Sequence, residues 1–309
     1  MGMSRFMSER FSTLKAYVPG EQPRDKSYIK LNTNESPYPP APEVIEAINS
    51  KELEDLRLYS DPECKYLREA LAKQYGVSLK NVMVGNGSDE ILSFAFMAFC
   101  DKTKVVSYPD ISYGFYPVFS EIHGIPKKEI PLLDDFTIRI EDYFNTDTMI
   151  VIANPNAPTG ICLSVSDIEN IIKSNTSNVV VIDEAYIDFG GESCAPLTAK
   201  YDNLLVIQTY SKSRSLAGAR LGYAIGNEEL IADLEKLRYS TNPYNVNRLT
   251  LLAGTAALKG QAYYDNNNRE IIQTREYTSL KLKSFGFEQT DSKANFIFAR
   301  HPKLKGKEL

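Results

Sequence analysis

Leu204-Leu205-Val206-Ile207 leads into Thr209-Tyr210-Ser211-Lys212-Ser213-Arg214-Ser215-Leu216-Ala217-Gly218-Ala219-Arg220-Leu221-Gly222, and this stretch decides the fold. An unbroken apolar run bounded by polar residues reads as a strand buried on both faces of a parallel sheet. One lysine flanked by hydroxyls follows it, and an arginine stands eight positions on. Ligands of open α/β sheets bind at the carboxyl ends of the strands. A lysine desolvated there can lose its proton and attack a carbonyl to form a Schiff base. Thr209, Ser211 and Arg220 are donor types that suit a phosphate. A lone Ser-Lys pair is ordinarily a solvated loop, so the rest of the chain has to decide.

Outward from this strand, elements alternate. Val82-Met83-Val84, Val105 to Tyr108, Met149 to Ala153 and Val179 to Ile182 are short apolar runs, mostly β-branched in the later ones. Segments 62–75, 88–99, 113–122 and 166–173 lie between or beside them with apolar residues near a 3.6 period, Leu67, Leu71 and Tyr75 forming one stripe. That is the signature of an α/β fold with a mostly parallel sheet sandwiched by helices. Gly222 to Gly226 reads as a further strand, antiparallel because the loop back from Ile207 holds no full helix. Residues 228–239 and about 249–285 read as helical, the second stretch broken near Gly260, and 294–299 as a last strand. Residues 1–41 form an arm rich in Pro, Asn and Tyr, and 42–50 a short helix. The expected division is an arm over 1–41, a large ligand-binding domain over 42–245, and a small α+β domain over 246–309.

Each strand end carries residues suited to a ligand. Gly85-Asn86-Gly87-Ser88-Asp89-Glu90 opens a helix whose free amides favour an anion, although the same residues also make a plain Asn-Gly turn with a cap. Tyr113, within Pro109 to Tyr116, can stack on a flat ring or fill the core. Ala153-Asn154-Pro155-Asn156-Ala157-Pro158-Thr159-Gly160 is a stiff turn open to a cis peptide. Its asparagines can donate to a phenolate oxygen, or the turn can simply end the strand. Asp183, in Val180-Val181-Ile182-Asp183-Glu184-Ala185-Tyr186, ends an apolar strand and calls for a cation. A protonated heteroaromatic nitrogen fits; Mg²⁺, as in nucleotide hydrolases, lacks its G-x-x-x-x-G-K-[ST] loop here. One flat, phosphorylated, aldehyde-bearing ligand uses all these features at once: pyridoxal phosphate.

Other classes find less support. A net charge of −5, a pI near 5.3 and no long basic run argue against nucleic acid or an anionic membrane as partner. Residues 1–17, with Arg5, Glu9, Arg10 and Lys15, have no signal-peptide core, and the expected location is the cytoplasm. Cys64, Cys100, Cys162 and Cys194 lie far apart and are expected to be reduced thiols. The only histidines, His123 and His301, sit in no metal or triad motif, so no metal is expected.

Leu31-Asn32-Thr33-Asn34-Glu35, Pro155 to Gly160, Asp183-Glu184-Ala185-Tyr186 and Ser211-Lys212 through Arg220 resemble the fold-type-I pyridoxal-phosphate aminotransferases. The likeness runs from about Tyr17 to Ala299. With Pro243-Tyr244-Asn245-Val246-Asn247, it is most similar to the histidinol-phosphate branch of that family. The resemblance implies transfer of an amino group from a small-molecule donor, histidinol phosphate, to a 2-oxo acid, 2-oxoglutarate, in a homodimer. It implies that Lys212 holds the cofactor covalently and acts as base, that Asp183 pairs with the ring nitrogen, and that Tyr186 bonds the phenolic oxygen. It further implies that Tyr113 stacks on the ring, while Ser88, Asp89, Ser211 and Arg220 cradle the phosphate. Tyr59 would reach the neighbouring subunit's phosphate, and Tyr17, Asn34 and Asn247 would meet substrate. Where the family has an asparagine before Pro-Thr-Gly this chain has Ala157, so Asn156 is the expected substitute. Family members continue several tens of residues further and carry a substrate-gripping arginine there; none follows Arg300, so the small domain is expected to be incomplete. Aromatic-amino-acid transaminases and threonine-phosphate decarboxylase-like proteins share the cofactor residues, and a cofactor-binding but inactive fragment is the reading from outside enzymology.

Overall fold

The computed structural model describes residues 29–306 together with residues 7, 8, 11, 14, 17 and 18; most of the arm expected over 1–41 lies outside the described residues. In chain order come α1 (Pro42–Ala47), α2 (Ser50–Glu54), α3 (Lys65–Tyr75), β1 (Val82–Gly85), α4 (Ser88–Phe99), β2 (Val106–Pro109), α5 (Phe115–His123) and β3 (Lys127–Ile130). Then follow β4 (Met149–Ala153), α6 (Val165–Ser174), β5 (Val180–Asp183), β6 (Leu204–Thr209), β7 (Gly222–Gly226), α7 (Glu228–Thr241), α8 (Arg248–Lys259), α9 (Gln261–Ser284), β8 (Glu288–Gln289) and β9 (Ala299–Arg300). The first seven strands form one sheet in the order β1-β7-β6-β5-β4-β2-β3. Only β7 runs against its neighbours β6 and β1, as its short return loop predicts.

Period-two alternation puts apolar residues on both faces of the central strands. Ile150, Ile152, Val180, Ile182, Leu204 and Val206 enter a core with residues of α3, α6 and α8. Met149, Val151, Val181, Leu205 and Ile207 face the other way, into a core with residues of α4, α5 and α7. With both faces covered, the strands read as continuous apolar runs, and their carboxyl ends are left for function. Helix α8 packs against α1 and α3, which seats the last part of the chain on the sheet body.

The structure departs from the sequence reading most at three places, besides splitting the short helix expected over 42–50 into α1 and α2. Helix α3 starts at Lys65 rather than Pro62, because Cys64 is left-handed (φ 50°) and the Asp61 carboxylate accepts the amides of Glu63 and Lys65. Strand β3 was not expected, since Lys127-Lys128-Glu129 is an exposed, charged sheet edge with no apolar run to announce it. The last strand shrinks to Ala299–Arg300, paired with Glu288–Gln289. Before it, Ser292 donates to the Phe296 carbonyl and Arg275 to the Ala294 carbonyl, so the chain is bent rather than extended. All four cysteines are free thiols.

Candidate active site

Strand β6 delivers the lysine. Lys212 is half-buried, and its Nζ donates to the Thr33 carbonyl at 2.7 Å. Desolvation lowers its pKa to about 8, with the carboxylates of Glu35 and Asp89 opposing the shift. Next to it in the sheet, β5 ends on Asp183, which is buried. Its carboxylate accepts the Tyr116 hydroxyl at 2.9 Å and the Ala185 amide at 3.3 Å. Burial pushes Asp183 up to about 7, and among the described residues no cation is paired with it. Two residues after Glu184, the Tyr186 hydroxyl accepts a bond from Asn34 Nδ2 at 3.1 Å; burial pushes it up to about 12.

The opposite corner is made by the start of α4. Its N-cap is Gly87, which has no side chain to satisfy the first-turn amides, so these remain available to an anion. Gly87 has φ +82°, and a Cβ there would lie 2.6 Å from Arg220 Nη2. A Cβ on Gly222 would lie 2.4 Å from the Ser88 nitrogen. Only glycine lets β7 and Arg220 approach this closely. Arg220 pairs with Asp89 at 3.1 Å and donates to Ser211 Oγ at 3.4 Å. The Tyr113 hydroxyl donates to the other Asp89 oxygen at 2.8 Å, which fixes the ring, and burial together with Asp89 pushes Tyr113 far up.

These corners bound one cavity of about 540 Å³. Tyr17, Ser88, Asp89, Tyr113, Asp183, Tyr186, Ser211, Lys212 and Arg220 all line it, and Asn34 touches it through Tyr186. Three expected residues stand elsewhere. Asn156 is a correction: it is buried, accepts from Ser112 Oγ, and donates to the Ile111 carbonyl and Thr159 Oγ1. Its amide is spent inside the turn, while Pro155 and Ala157 face the cavity. Asn247 caps α8, accepting the Thr250 amide at 3.0 Å and donating to Thr250 Oγ1 at 2.9 Å. Tyr59 is 80% exposed and stacks on Tyr244 at 4.4 Å, outside its own chain's cavity. Sequence reasoning missed Thr33 and Glu35 as cavity residues, although the motif that holds them was noted, and Tyr116 as the partner of Asp183. No sequence signal joins Tyr116 to Asp183, because the two meet only once β5 is covered by α5. Among the described residues no cluster of side chains suits a metal ion.

The residues fit a flat, phosphorylated cation with a carbonyl. Asp183 is a buried acid in need of positive charge, the α4 amides and Arg220 suit a phosphate, and Lys212 is an amine eased toward its neutral form. A site of this kind, at the carboxyl edge of a mostly parallel sheet, defines an α/β enzyme of the fold-type-I, pyridoxal-phosphate class. The chain belongs to the aminotransferase class I and II family, whose model matches residues 26–309. The histidinol-phosphate aminotransferase of Brachyspira hyodysenteriae is 52% identical over 308 residues, covering 99% of this chain and 87% of that one. That of Acinetobacter baylyi is 50% identical, over 96% of this chain and 83% of its own. The crystal structure of histidinol-phosphate aminotransferase from Sinorhizobium meliloti, in complex with pyridoxal-5'-phosphate, superposes with a TM-score of 0.80 at 26% identity, over 88% of this chain and 75% of that one.

Proposed function

We propose that this aminotransferase takes its amino group from histidinol phosphate and passes it to 2-oxoglutarate, acting as a cytoplasmic homodimer with pyridoxal phosphate as cofactor. What carries the reading is the meeting of Lys212, Asp183 and the α4 amides in one cavity. The donor follows from the name of a relative 52% identical over 99% of the chain. The division into an arm over 1–41, a cofactor domain over 42–245 and a small domain over 246–309 is kept, with α8 as the helix that seats the last part.

Bound in the cavity, pyridoxal phosphate supplies a carbonyl for covalent attachment and an electron sink for the carbon that gives up its proton. Lys212 would attach through Nζ and, once released, carry the proton from the donor's α-carbon; a pKa of about 8 leaves part of the amine neutral near pH 7. Asp183 would hold a proton on the ring nitrogen, with Tyr116 and the Ala185 amide fixing its carboxylate. Tyr186, oriented by Asn34, would meet the phenolic oxygen. Tyr113, held by Asp89, would lie against the ring. The amides of Ser88 and Asp89, with Ser211 and Arg220, would bind the phosphate. Tyr17 and Asn34 would meet the substrate, and Asn247, which caps α8, would bear on it only through the placement of that helix. Tyr59 would reach the partner subunit's phosphate.

The test has two arms. Borohydride reduction after incubation with pyridoxal phosphate should add one cofactor mass per chain, lost in Lys212→Ala. In the unreduced holoenzyme, histidinol phosphate offered without any 2-oxo acid should be consumed one-for-one with bound cofactor, and 2-oxoglutarate should restart consumption. No adduct on the wild-type chain would sink the cofactor reading, whereas an adduct without consumption would sink the donor.

A further inference from the structure

Among the described residues no side chain caps the first-turn amides of α4, so something other than its N-cap has to hold the loop before them. Glu90, at the third helical position, reaches back past the Gly87 N-cap and accepts the Asn86 amide at 2.7 Å, one residue before the amide that the acid of a capping box takes. The same Glu90 oxygen accepts a bond from Asn245 Nδ2. Asn245 is buried, and its Oδ1 accepts from Arg238 Nη1 at 3.3 Å. Arg238 is fully buried on α7, is paired with Glu235 at 2.6 Å, and donates to the Pro243 carbonyl at 3.0 Å. A continuous polar path therefore runs from α7, through the turn at 243–245, to the loop that aims the α4 amides at the cavity.

We propose that Glu90 and Asn245 are positioning residues for the anion corner, fixing the Gly85–Gly87 loop so that the amides of Ser88 and Asp89 meet the cofactor's phosphate. This rests on the assignment of the phosphate to the start of α4. The loop has two glycines and, without Glu90, no side-chain acceptor for the Asn86 amide; it would then sample conformations in which the amides diverge. What it needs is an acceptor oxygen rather than a charge, since a carboxylate beside a phosphate is electrostatically unfavourable. Glutamine should therefore serve where alanine does not.

Equilibrium binding of pyridoxal 5'-phosphate, and of pyridoxal without the phosphate, to the full-length wild type, Glu90→Ala, Glu90→Gln and Asn245→Ala tests this. Glu90→Ala should lose about tenfold in affinity for the phosphorylated ligand and stay unchanged for pyridoxal, the loss expected for a weakened charge-assisted contact. Asn245→Ala should lose less in the same direction, and Glu90→Gln should stay close to the wild type. An unchanged ratio of the two affinities in Glu90→Ala, or an equal fall in both, would overturn the proposal. Should Glu90→Ala not fold, the ratio in Asn245→Ala decides alone. A wild type that binds pyridoxal as tightly as its phosphate would overturn the phosphate assignment too, a result distinct from failure of the variants.

Discussion

Lys212 and Asp183 both face the cavity in environments that disfavour their charged forms. Burial lowers Lys212 from 10.5 to about 8 and raises Asp183 from 3.8 to about 7. Between pH 3.8 and 7, the folded chain keeps a proton on Asp183 that the unfolded chain has released, so this group's contribution to stability declines as pH rises. Between pH 8 and 10.5, the unfolded chain keeps the proton on Lys212, and stability recovers as pH rises. The site thus stores instability that a bound cofactor relieves, a trade common at functional sites. Asp183→Asn tests it, because asparagine carries no charge, its Oδ1 can still accept from the Ala185 amide, and its Nδ2 can donate to the Tyr116 hydroxyl oxygen. At about 1.4 kcal/mol per pKa unit, the cofactor-free variant should be more stable than the wild type at pH 8 by up to a few kcal/mol. The gap should be complete above pH 7 and close toward pH 3.8. Urea midpoints across this range measure it, and a gap that ignores pH would refute the charge argument. The same variant should hold pyridoxal phosphate more weakly, having lost the charge that meets the ring nitrogen.

The start of α4 depends on β7 as much as on its own sequence. A Cβ on Gly222 would lie 2.4 Å from the Ser88 nitrogen and 2.6 Å from the Gly87 carbonyl carbon, both backbone atoms that cannot swing aside. Gly222→Ala should therefore cost about 1–3 kcal/mol and shift the anion corner. Thermal melting of the cofactor-free chain and titration with pyridoxal phosphate should both show loss; an unchanged melting temperature would mean that β7 gives way freely. This contact also marks where sequence reading ends. The helices and central strands were legible because Leu67, Leu71 and Tyr75 repeat at helical spacing and Val180-Val181-Ile182 is apolar on both faces. Lys212, Asp183 and Ser88 were legible because they stand directly after such strands. Strand β3 was not, since Lys127-Lys128-Glu129 takes its shape from the strand beside it. Nor was the direction of Asn156, because a Pro-rich turn can aim that amide inward or outward, and only Ser112, Ile111 and Thr159 decide it. Thr33 and Glu35 belong to a segment without periodicity, and their place over the cavity depends on Lys212 and Tyr186 being there to receive it.

At the scale of the molecule, one group of the exposed apolar side chains among the described residues is Leu53, Leu56, Leu58 and Tyr59, with Tyr66 further on. Tyr59 stacks on Tyr244 at an interplanar angle of 20°, and the Tyr239 hydroxyl donates to the Pro62 carbonyl, so residues 59–62 and 239–244 form one surface. Apolar groups gathered in this way suit the proposed homodimer, in which a two-fold axis would bury the same patch on both copies. The turn at 243–245 joins this surface to Glu90, so in the proposed dimer a contact made here would share a support with the anion corner. If Tyr59 also reaches across to the partner's phosphate, no subunit has a complete site alone. Diluting the protein to monomer should then release pyridoxal phosphate. Tyr59→Phe keeps the stacking ring but loses the hydroxyl, so it should leave the dimer intact and weaken cofactor retention. Mixing gives the sharper experiment. Lys212→Ala subunits cannot attach cofactor but supply Tyr59, and Tyr59→Ala subunits offer the reverse. Refolded together, they should regain tight retention at one site in each mixed dimer, though neither variant shows it alone. Retention that stays additive in the mixture would place Tyr59 outside the neighbour's site and leave its hydroxyl to solvent.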